Sequence, residues 1–353
     1  MDSDLSICVY DTIQQVNSGQ WDHVVNQSGR GSVYHRYDWI KSVENGLGLS
    51  GKHVVVTKKG NPIGIFPNFL TGVRLPGEIE RRLPDSISSE ISELSSIRPG
   101  YGGPVVQTNE SEVLELLLDE IEEIGGRTTI SHYIRSASIG DVRYANSLER
   151  KGYTPNVSLC RITLDLRDDF EEIRSSMDKG RRQNLRKAKK NDPEVYSEEI
   201  TTEVLEEFYR GYEATMDRVE SEPYSFRFFE ELADNLEDSL LLIAADVDGD
   251  TVGRHLCIVD DVRGTVNYEF ASVFEENFDY YPSDLMHEYA IKWAQERDYD
   301  KYDLGPTPSD FEDGLFNYKE QYGGSVVPLL VWERGTSPLW SLYETMRSVY
   351  KRV

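Results

Sequence analysis

The sequence predicts an α/β protein made of a duplicated unit, and three observations carry that reading. Each half runs through the same order of patterns: helix, hairpin, strand, helix, strand. The two hairpins share a Gly-x-x-(Ile/Val)-Gly signature, Gly60-Asn61-Pro62-Ile63-Gly64 and Gly249-Asp250-Thr251-Val252-Gly253, 189 positions apart. The chain has 353 residues, 38% of them apolar and 11% aromatic, enough for two domains that each bury a core.

The elements of the first half follow from local pattern. A helix is expected over 36–44, ended by Asn45-Gly46, then strands over 53–57 and 63–70 around a Lys59-Gly60-Asn61 turn. Residues 71–98 are rich in Ser, Pro and Gly and read as irregular, with a further strand over 101–107. Val113, Leu116, Leu117, Ile121 and Ile124 recur at helical spacing until Gly125-Gly126 stops them. Strands over 128–134 and 157–166 flank a short helix.

In the second half, Val204, Leu205, Phe208, Tyr209, Tyr212 and Met216 form one face of a helix. A strand over 240–246 turns at Asp248-Gly249-Asp250 into a partner over 251–259, and a third strand covers 264–273. Pro282-Ser283 opens a helix with Leu285, Met286, Tyr289, Ala290, Trp293 and Ala294, followed by a buried strand at Tyr302-Asp303-Leu304. A last amphipathic helix is expected over 338–351, its face lined by Leu339, Tyr343, Met346 and Tyr350.

Composition excludes several classes. A formal charge of −25 repels nucleic acid and anionic membranes as a whole, and suits a protein adapted to high intracellular salt, where screening weakens self-repulsion. The use of 13 Lys against 25 Arg agrees with salt adaptation. Three distant cysteines, Cys8, Cys160 and Cys257, suggest no disulfide framework or thiol metal site and read as small buried residues. The six histidines are scattered, so no metal site is expected. With no leader-like N-terminus and no run of 18 apolar residues, the chain reads as soluble and cytoplasmic, without a membrane span.

Against this acidic background, residues 179–190 hold seven of the 38 Lys and Arg residues and no acid. Concentrated cations repel one another, so the segment points to a bound polyanion, most simply a phosphate. The competing account is a solvated helix face. Gly46-Leu47-Gly48-Leu49-Ser50-Gly51 matches a dinucleotide fingerprint, but it follows a helix and precedes a strand, the reverse of the required order. It is a connector.

The chemistry concentrates near the end of the chain. Tyr302-Asp303-Leu304-Gly305-Pro306 is a strand running into a Gly turn, and an aromatic segment from Gly314 to Gly324 follows. This places polar groups at a strand's C-terminal edge, where open α/β sheets bind ligands. Lys319 is the single cation between Asp303 and Trp332. It reads as a clamp for phosphate or carboxylate, or as a stabiliser of developing oxyanion charge. Asp303 reads as a positioning group for substrate or for its own loop.

Several segments carry a resemblance. Tyr302-Asp303-Leu304-Gly305 followed by Phe316-Asn317-Tyr318-Lys319-Glu320-Gln321-Tyr322-Gly323-Gly324 resembles the ending of FemAB-type peptidyltransferases and BioF2-like acetyltransferase domains. So do Arg181-Arg182-Gln183-Asn184-Leu185-Arg186-Lys187-Ala188, Tyr37-Asp38-Trp39-Ile40, Thr215-Met216-Asp217-Arg218 and Tyr101-Gly102-Gly103-Pro104, in family order from about residue 33 to 330. The resemblance implies two tandem GNAT-like (acyl-CoA N-acyltransferase) domains, with mixed central sheets flanked by helices. Their expected extents are 1–165 and 166–336, the second including the basic helix 179–190, with 337–353 returning to the first domain.

It further implies transfer of an acyl or aminoacyl group to an amine of a phosphate-bearing substrate. The donor is aminoacyl-tRNA or acyl-CoA, with no tightly bound cofactor, no metal and no DNA. Two alternatives stay open: an acyl-CoA-dependent N-acetyltransferase on a small amine or amino sugar, and a non-catalytic nucleotide- or RNA-binding protein. Lys319, Asp303 and Glu269 are the catalytic candidates, in charge stabilisation, positioning and general-base roles. Arg181, Arg182, Arg186 and Arg218 would hold the phosphate, and Tyr268, Tyr280 and Tyr318 would line the site. One departure bears on the donor. The loop Asn277-Phe278-Asp279-Tyr280-Tyr281-Pro282 lacks the Gly-rich pyrophosphate turn of acetyl-CoA users.

Overall fold

The computed structural model describes residues 4–73, 91–96, 99–124, 129–136, 138–337 and 340. The expected helix over 338–351 therefore lies outside the described residues. Two compact units are present: one groups residues up to 44, 48–157 and those from 329 on, the other residues 45–47 and 158–328.

In the first unit, the strands are β1 (Leu5–Tyr10), β2 (Ser50–Gly51), β3 (His53–Lys58), β4 (Asn61–Phe66), β5 (Asn68–Gly72), β6 (Ser92–Ser96), β7 (Val105–Val106) and β8 (Thr129–Arg135). Its helices are α1 (Ser18–Gln27), α2 (Tyr37–Leu47), α3 (Glu110–Ile124) and α4 (Ala145–Arg150). One sheet has the order β1-β3-β4-β7, and β8, β6, β5 and β2 are successive neighbours in another. Helix α3 buries Val113, Leu114, Leu117, Leu118 and Ile121 in a core with Val54, Val56 and Phe66.

The second unit begins within β9 (Thr154–Asp165) and continues through α5 (Phe170–Ser176), α6 (Lys179–Ala188), β10 (Glu194–Ser197), α7 (Thr202–Arg218), α8 (Phe226–Asn235), β11 (Leu240–Val247), β12 (Asp250–Asp260), β13 (Thr265–Ser272), α9 (Pro282–Gln295), β14 (Lys301–Pro308), α10 (Gly314–Glu320) and into β15 (Ser325–Gly335). Its strand order is β10-β11-β12-β13-β14-β9-β15; from β10 to β9 the pairs are antiparallel except for the parallel β13–β14 pair. Met286, Ala290, Ile291 and Ala294 of α9 pack on Ile243, Ala245, Cys257, Val266 and Leu304, each buried side chain of Leu or Ile size contributing about 1.5–3 kcal/mol. Phe208, Tyr212, Phe229 and Phe270 form a separate aromatic cluster with ring centroids 5.0–6.3 Å apart.

The repeated hairpin signature has a physical basis in both units. The turns are Lys59-Gly60 (φ 52° and 80°) and Asp248-Gly249 (φ 54° and 89°), two consecutive left-handed residues that match the twist of the strands they join. The second glycine of each signature makes room for packing. A Cβ at Gly64 would lie 2.3 Å from Val113 Cγ1 of α3, and one at Gly253 would lie 3.2 Å from Met286 Cε of α9.

Several sequence expectations change. Within the stretch 71–98 read as irregular, Ser92–Ser96 form β6, and α2 runs to Leu47, past the expected stop at Asn45-Gly46. The expected strand 63–70 is two strands, β4 and β5, which pair in different sheets. The expected strand 101–107 shrinks to Val105–Val106 plus a bridge at Gly102. Cys8 is exposed, because β1 alternates and turns Leu5, Ile7 and Val9 inward instead; Cys160 and Cys257 are buried. Gly46-to-Gly51 follows the expected helix-then-strand order: Gly46 and Leu47 close α2, Gly48 ends it in the left-handed conformation at φ 64°, and Ser50–Gly51 form β2.

Candidate functional site

The second unit's sheet opens at one point. Strands β13 and β14 pair in parallel at Thr265–Lys301, Val266–Tyr302 and Asn267–Asp303, and no further. Both strands bulge immediately beyond that last pair. In β13, Tyr268 faces Cys257 and Phe270 faces Leu256, so Glu269 is the extra residue. In β14, Asp303 faces Thr163 and Pro306 faces Arg161, which leaves one extra residue between them. The β13 bulge also switches faces: Tyr268 packs in the α9 core while Phe270 joins the aromatic cluster. Paired bulges pull two adjacent strands toward their other neighbours and leave a gap with backbone groups at its rim.

Asp303 shapes the β14 side of this gap. It is 2% exposed, accepts the Gly305 backbone N–H at 2.8 Å and pairs with Arg161 Nη1 at 3.0 Å. Gly305 has φ 77°, and a Cβ there would stand 2.8 Å from the Tyr268 carbonyl oxygen, so no larger residue fits. The turn delivers the Pro306 carbonyl to Lys319, whose Nζ donates to it at 2.8 Å.

Lys319 sits on α10, which starts where Asp313 accepts the Leu315 and Phe316 backbone N–H groups at 2.8 and 2.9 Å. Only 5% of Lys319 is exposed. Burial pushes its ammonium down to about 8, against the opposing pull of Asp303, Glu269 and the Cys160 thiol. The amine is thus charged at neutral pH yet close to titrating, in a low-dielectric place.

The basic segment divides by helical phase. Arg181 turns inward: Nε donates to Gln321 Oε1 at 3.1 Å, Nη1 contacts both Asp284 oxygens at 3.4 Å, and the guanidinium stacks 4.1 Å over the Tyr318 ring. Arg182 donates to the Ser175 and Met177 carbonyls at 2.7 and 2.9 Å, closing the end of α5. Lys189 pairs with Glu288 at 2.8 Å. Arg186 and Lys190 are exposed, and Arg218 is exposed at the end of α7 with its guanidinium 4.7 Å over Phe278. The structure therefore brings Lys319, Asp303 and Glu269 to the gap, and directs the donors of Arg181 and Arg182 to protein partners.

The tyrosines also sort. Tyr268 lies against the rings of His255 and His287 at 4.5 and 4.7 Å, and burial raises its phenol well above 10. Tyr280 packs on the α9 core. Tyr318 bridges Arg181 and the Tyr322 hydroxyl, 3.2 Å away. Sequence reasoning missed Arg161, Asp284 and the fully buried pair His255 and His287, whose rings are 4.7 Å apart. His287 Nδ1 meets the Tyr302 hydroxyl at 2.7 Å, and burial holds both imidazoles neutral.

The start of α9 tests the fit of an acyl-CoA diphosphate. A helix N-terminus attracts anions through free N–H groups and the macrodipole. Here Tyr281 enters at φ 51°, Pro282 supplies no N–H, and the Asp284 and Leu285 N–H groups point to the Tyr281 carbonyl. The 6%-exposed Asp284 carboxylate already occupies the first turn, paired with Arg181. The first turn thus offers a diphosphate few N–H donors and places an acidic side chain beside them. Among the described residues no group of three or more His, Cys, Asp or Glu is placed to hold a metal, and no helix is long and apolar enough to cross a membrane.

A mixed sheet opened by paired bulges over a buried lysine, with a crossover helix on one face, defines a GNAT-type transferase fold. Residues 175–320 match the family model described as the acetyltransferase (GNAT) domain. Comparison with curated proteins finds no match. Among solved structures the chain is similar to FemX, at TM-score 0.71 and 16% identity, covering 93% of this chain and 98% of that one. It is also similar to the C-terminal domain of a putative lysylphosphatidylglycerol synthetase from Agrobacterium fabrum, at TM-score 0.59 and 10% identity, with coverages of 93% and 95%. A tandem GNAT protein from the clavulanic acid biosynthesis pathway matches at TM-score 0.57 and 11% identity, with coverages of 95% and 99%. The second unit thus carries an acyltransferase-type GNAT domain, and the whole chain has a FemX-like, tandem-GNAT fold.

Proposed function

We propose that this chain transfers an acyl or aminoacyl group from an activated ester to an amine of a phosphate-bearing acceptor, at the gap between β13 and β14. The observation that carries this reading is the buried Lys319 ammonium, held on the Pro306 carbonyl at 2.8 Å beside that gap. In the reaction the neutral amine forms a C–N bond to the carbonyl carbon, and the carbonyl oxygen takes up negative charge. Collapse of this intermediate breaks the bond to the leaving oxygen, and the former amine releases a proton. Lys319 stabilises the developing oxyanion, most effectively where water is excluded. Glu269, the bulged residue facing Lys319 electrostatically, receives the proton. Asp303 fixes the turn that holds Lys319.

Acceptor phosphate falls to the exposed guanidiniums Arg186 and Arg218, while Arg181 and Arg182 hold α6 in place. The scarcity of N–H donors and the Asp284 carboxylate at the start of α9 favour an aminoacyl ester such as aminoacyl-tRNA as donor. The acetyltransferase domain match supports a second reading with acyl-CoA, its diphosphate bound elsewhere.

The test is a screen of labelled aminoacyl-tRNAs and acyl-CoAs against amine pools at high salt, with product read by mass spectrometry, for the native chain and Lys319→Ala. Transfer that depends on Lys319 supports the proposal. Equal transfer by both proteins removes Lys319 from the chemistry, and no transfer from any donor overturns the reading.

A further inference from the structure

Arg161 is absent from every sequence signature, yet it stands at the head of a chain of contacts that ends on the Lys319 amine. It lies on β9, opposite Pro306 across the β14 bulge. Its Nη1 pairs with Asp303 Oδ2 at 3.0 Å, with the Arg161 side chain 14% exposed and that of Asp303 2%. The other carboxylate oxygen, Oδ1, accepts the Gly305 N–H at 2.8 Å, and the next carbonyl along, Pro306, accepts from Lys319 Nζ at 2.8 Å. Each contact leaves little freedom to the next. A buried carboxylate needs a cation, and both the ion pair and the anchored Gly305 N–H lie within the β14 bulge.

Building on the acyl-transfer reading, we propose that Arg161 is a positioning residue: by holding Asp303 it builds the Gly305–Pro306 turn and divides the carboxylate's charge between itself and Lys319. The charged and titratable groups acting on Lys319 are Asp303 from β14, Glu269 from β13, Cys160 from β9 and His287 from α9, and Arg161 of β9 reaches it through Asp303. Of these, Asp303 is the strongest influence favouring the charged amine, and burial is what opposes it. Arg161 pairs with Asp303 directly, whereas Lys319 is joined to it through the Gly305–Pro306 turn and feels its charge without an ion pair, so a change at Arg161 should be felt at Lys319.

Opposite displacements of one titration distinguish this from an ion pair that merely staples β9 to β14. In Arg161→Gln, Lys319 becomes the remaining cation of Asp303, and its titration moves up from about 8. In Asp303→Asn the Gly305 N–H keeps an acceptor but Lys319 loses its anion, and its titration moves down. Shifts of at least about half a pH unit are expected for charges interacting in a site this buried. Arg161→Lys keeps the charge and returns the titration toward the native position.

The readout is carbon NMR of the lysine Cε resonances against pH in the full-length chain, with Lys319 assigned by Lys319→Arg. This needs no substrate, so it still reports if the protein transfers no acyl group, and the proposal and the acyl-transfer reading fail separately. Where transfer is measurable, Arg161→Gln lowers kcat with KM little changed, and its alkaline limb moves with the NMR titration. A native-like Lys319 titration in either Arg161→Gln or Asp303→Asn overturns the proposal. Should Arg161→Gln fail to fold, Asp303→Asn alone decides: a downward shift sustains the charge sharing, and no shift ends it.

Discussion

Replacing Lys319 by Met is expected to make the protein more stable and inactive. The native ammonium is taken from its ordinary value of 10.5 down to about 8, with 5% of the residue exposed. At about 1.4 kcal/mol per pH unit, that gap corresponds to about 3 kcal/mol by which burial disfavours the charged amine at neutral pH. Met follows a similar path through the same space without a charge. It leaves the Pro306 carbonyl without its 2.8 Å partner, a loss of about 1 kcal/mol. Lys319→Met should therefore stabilise the fold by about 2 kcal/mol at pH 7. The sign with pH follows from linkage. The folded pKa lies below the unfolded one, so the unfolded chain binds more protons between about 8 and 10.5, and native stability climbs through that window. The variant lacks this rise, so its advantage shrinks as pH goes from 8 toward 10.5, while tyrosine and other lysine titrations cancel in the comparison. Urea denaturation of both proteins at pH 7 and pH 10, followed by circular dichroism, measures the difference. A variant less stable than the native chain at pH 7, or a difference that does not move with pH, refutes the account of a strained functional lysine.

Four further outcomes are expected. On the proposed mechanism the charged amine is the active form, so kcat/KM should fall as pH rises through about 8, and Lys319→Arg should carry that limb out of range in a pH–rate profile. Gly305→Ala forces a Cβ to 2.8 Å from the Tyr268 carbonyl at φ 77°, costing about 1–3 kcal/mol in thermal unfolding and lowering kcat. Arg181→Met strands the buried Asp284 carboxylate and should cost about 3 kcal/mol, whereas Arg186→Glu leaves the Tm nearly unchanged and raises the acceptor KM. A formal charge of −25 means that raising NaCl from 0.1 to 2 M should raise the Tm through screening; a flat or falling Tm contradicts the salt-adaptation reading.

What the sequence made legible, and what it hid, follows from the range of each interaction. The hairpins were readable because turn chemistry is local: Lys59-Gly60 and Asp248-Gly249 declare their backbone angles within two residues. Asp303 and Lys319 were readable because a lone cation after a strand-ending acid is a local anomaly. Arg161 was not, since its partner is 142 positions away and nothing in β9 marks it. The bulges were equally silent, because an extra residue in a strand of mixed burial leaves no clean break in alternation. Strand β15 was missed because Pro328 interrupts its apolar run and reads as a breaker.

The basic segment is different, because there the signal existed. Leu185 and Ala188 are the only apolar residues on α6, and both are buried. Arg181 precedes Leu185 by four positions and shares its face, while Arg186 lies on the opposite side of the helix. Helical phase alone therefore separates an arginine that locks Asp284 and Tyr318 from one left facing solvent. A cluster of seven cations says that an anion is near; the phase of two small apolar residues says which cations are free to meet one from outside. Exchanging the two kinds of residue in a single experiment, Arg181→Met against Arg186→Glu, tests that division directly: the first should act on folding and the second on the acceptor.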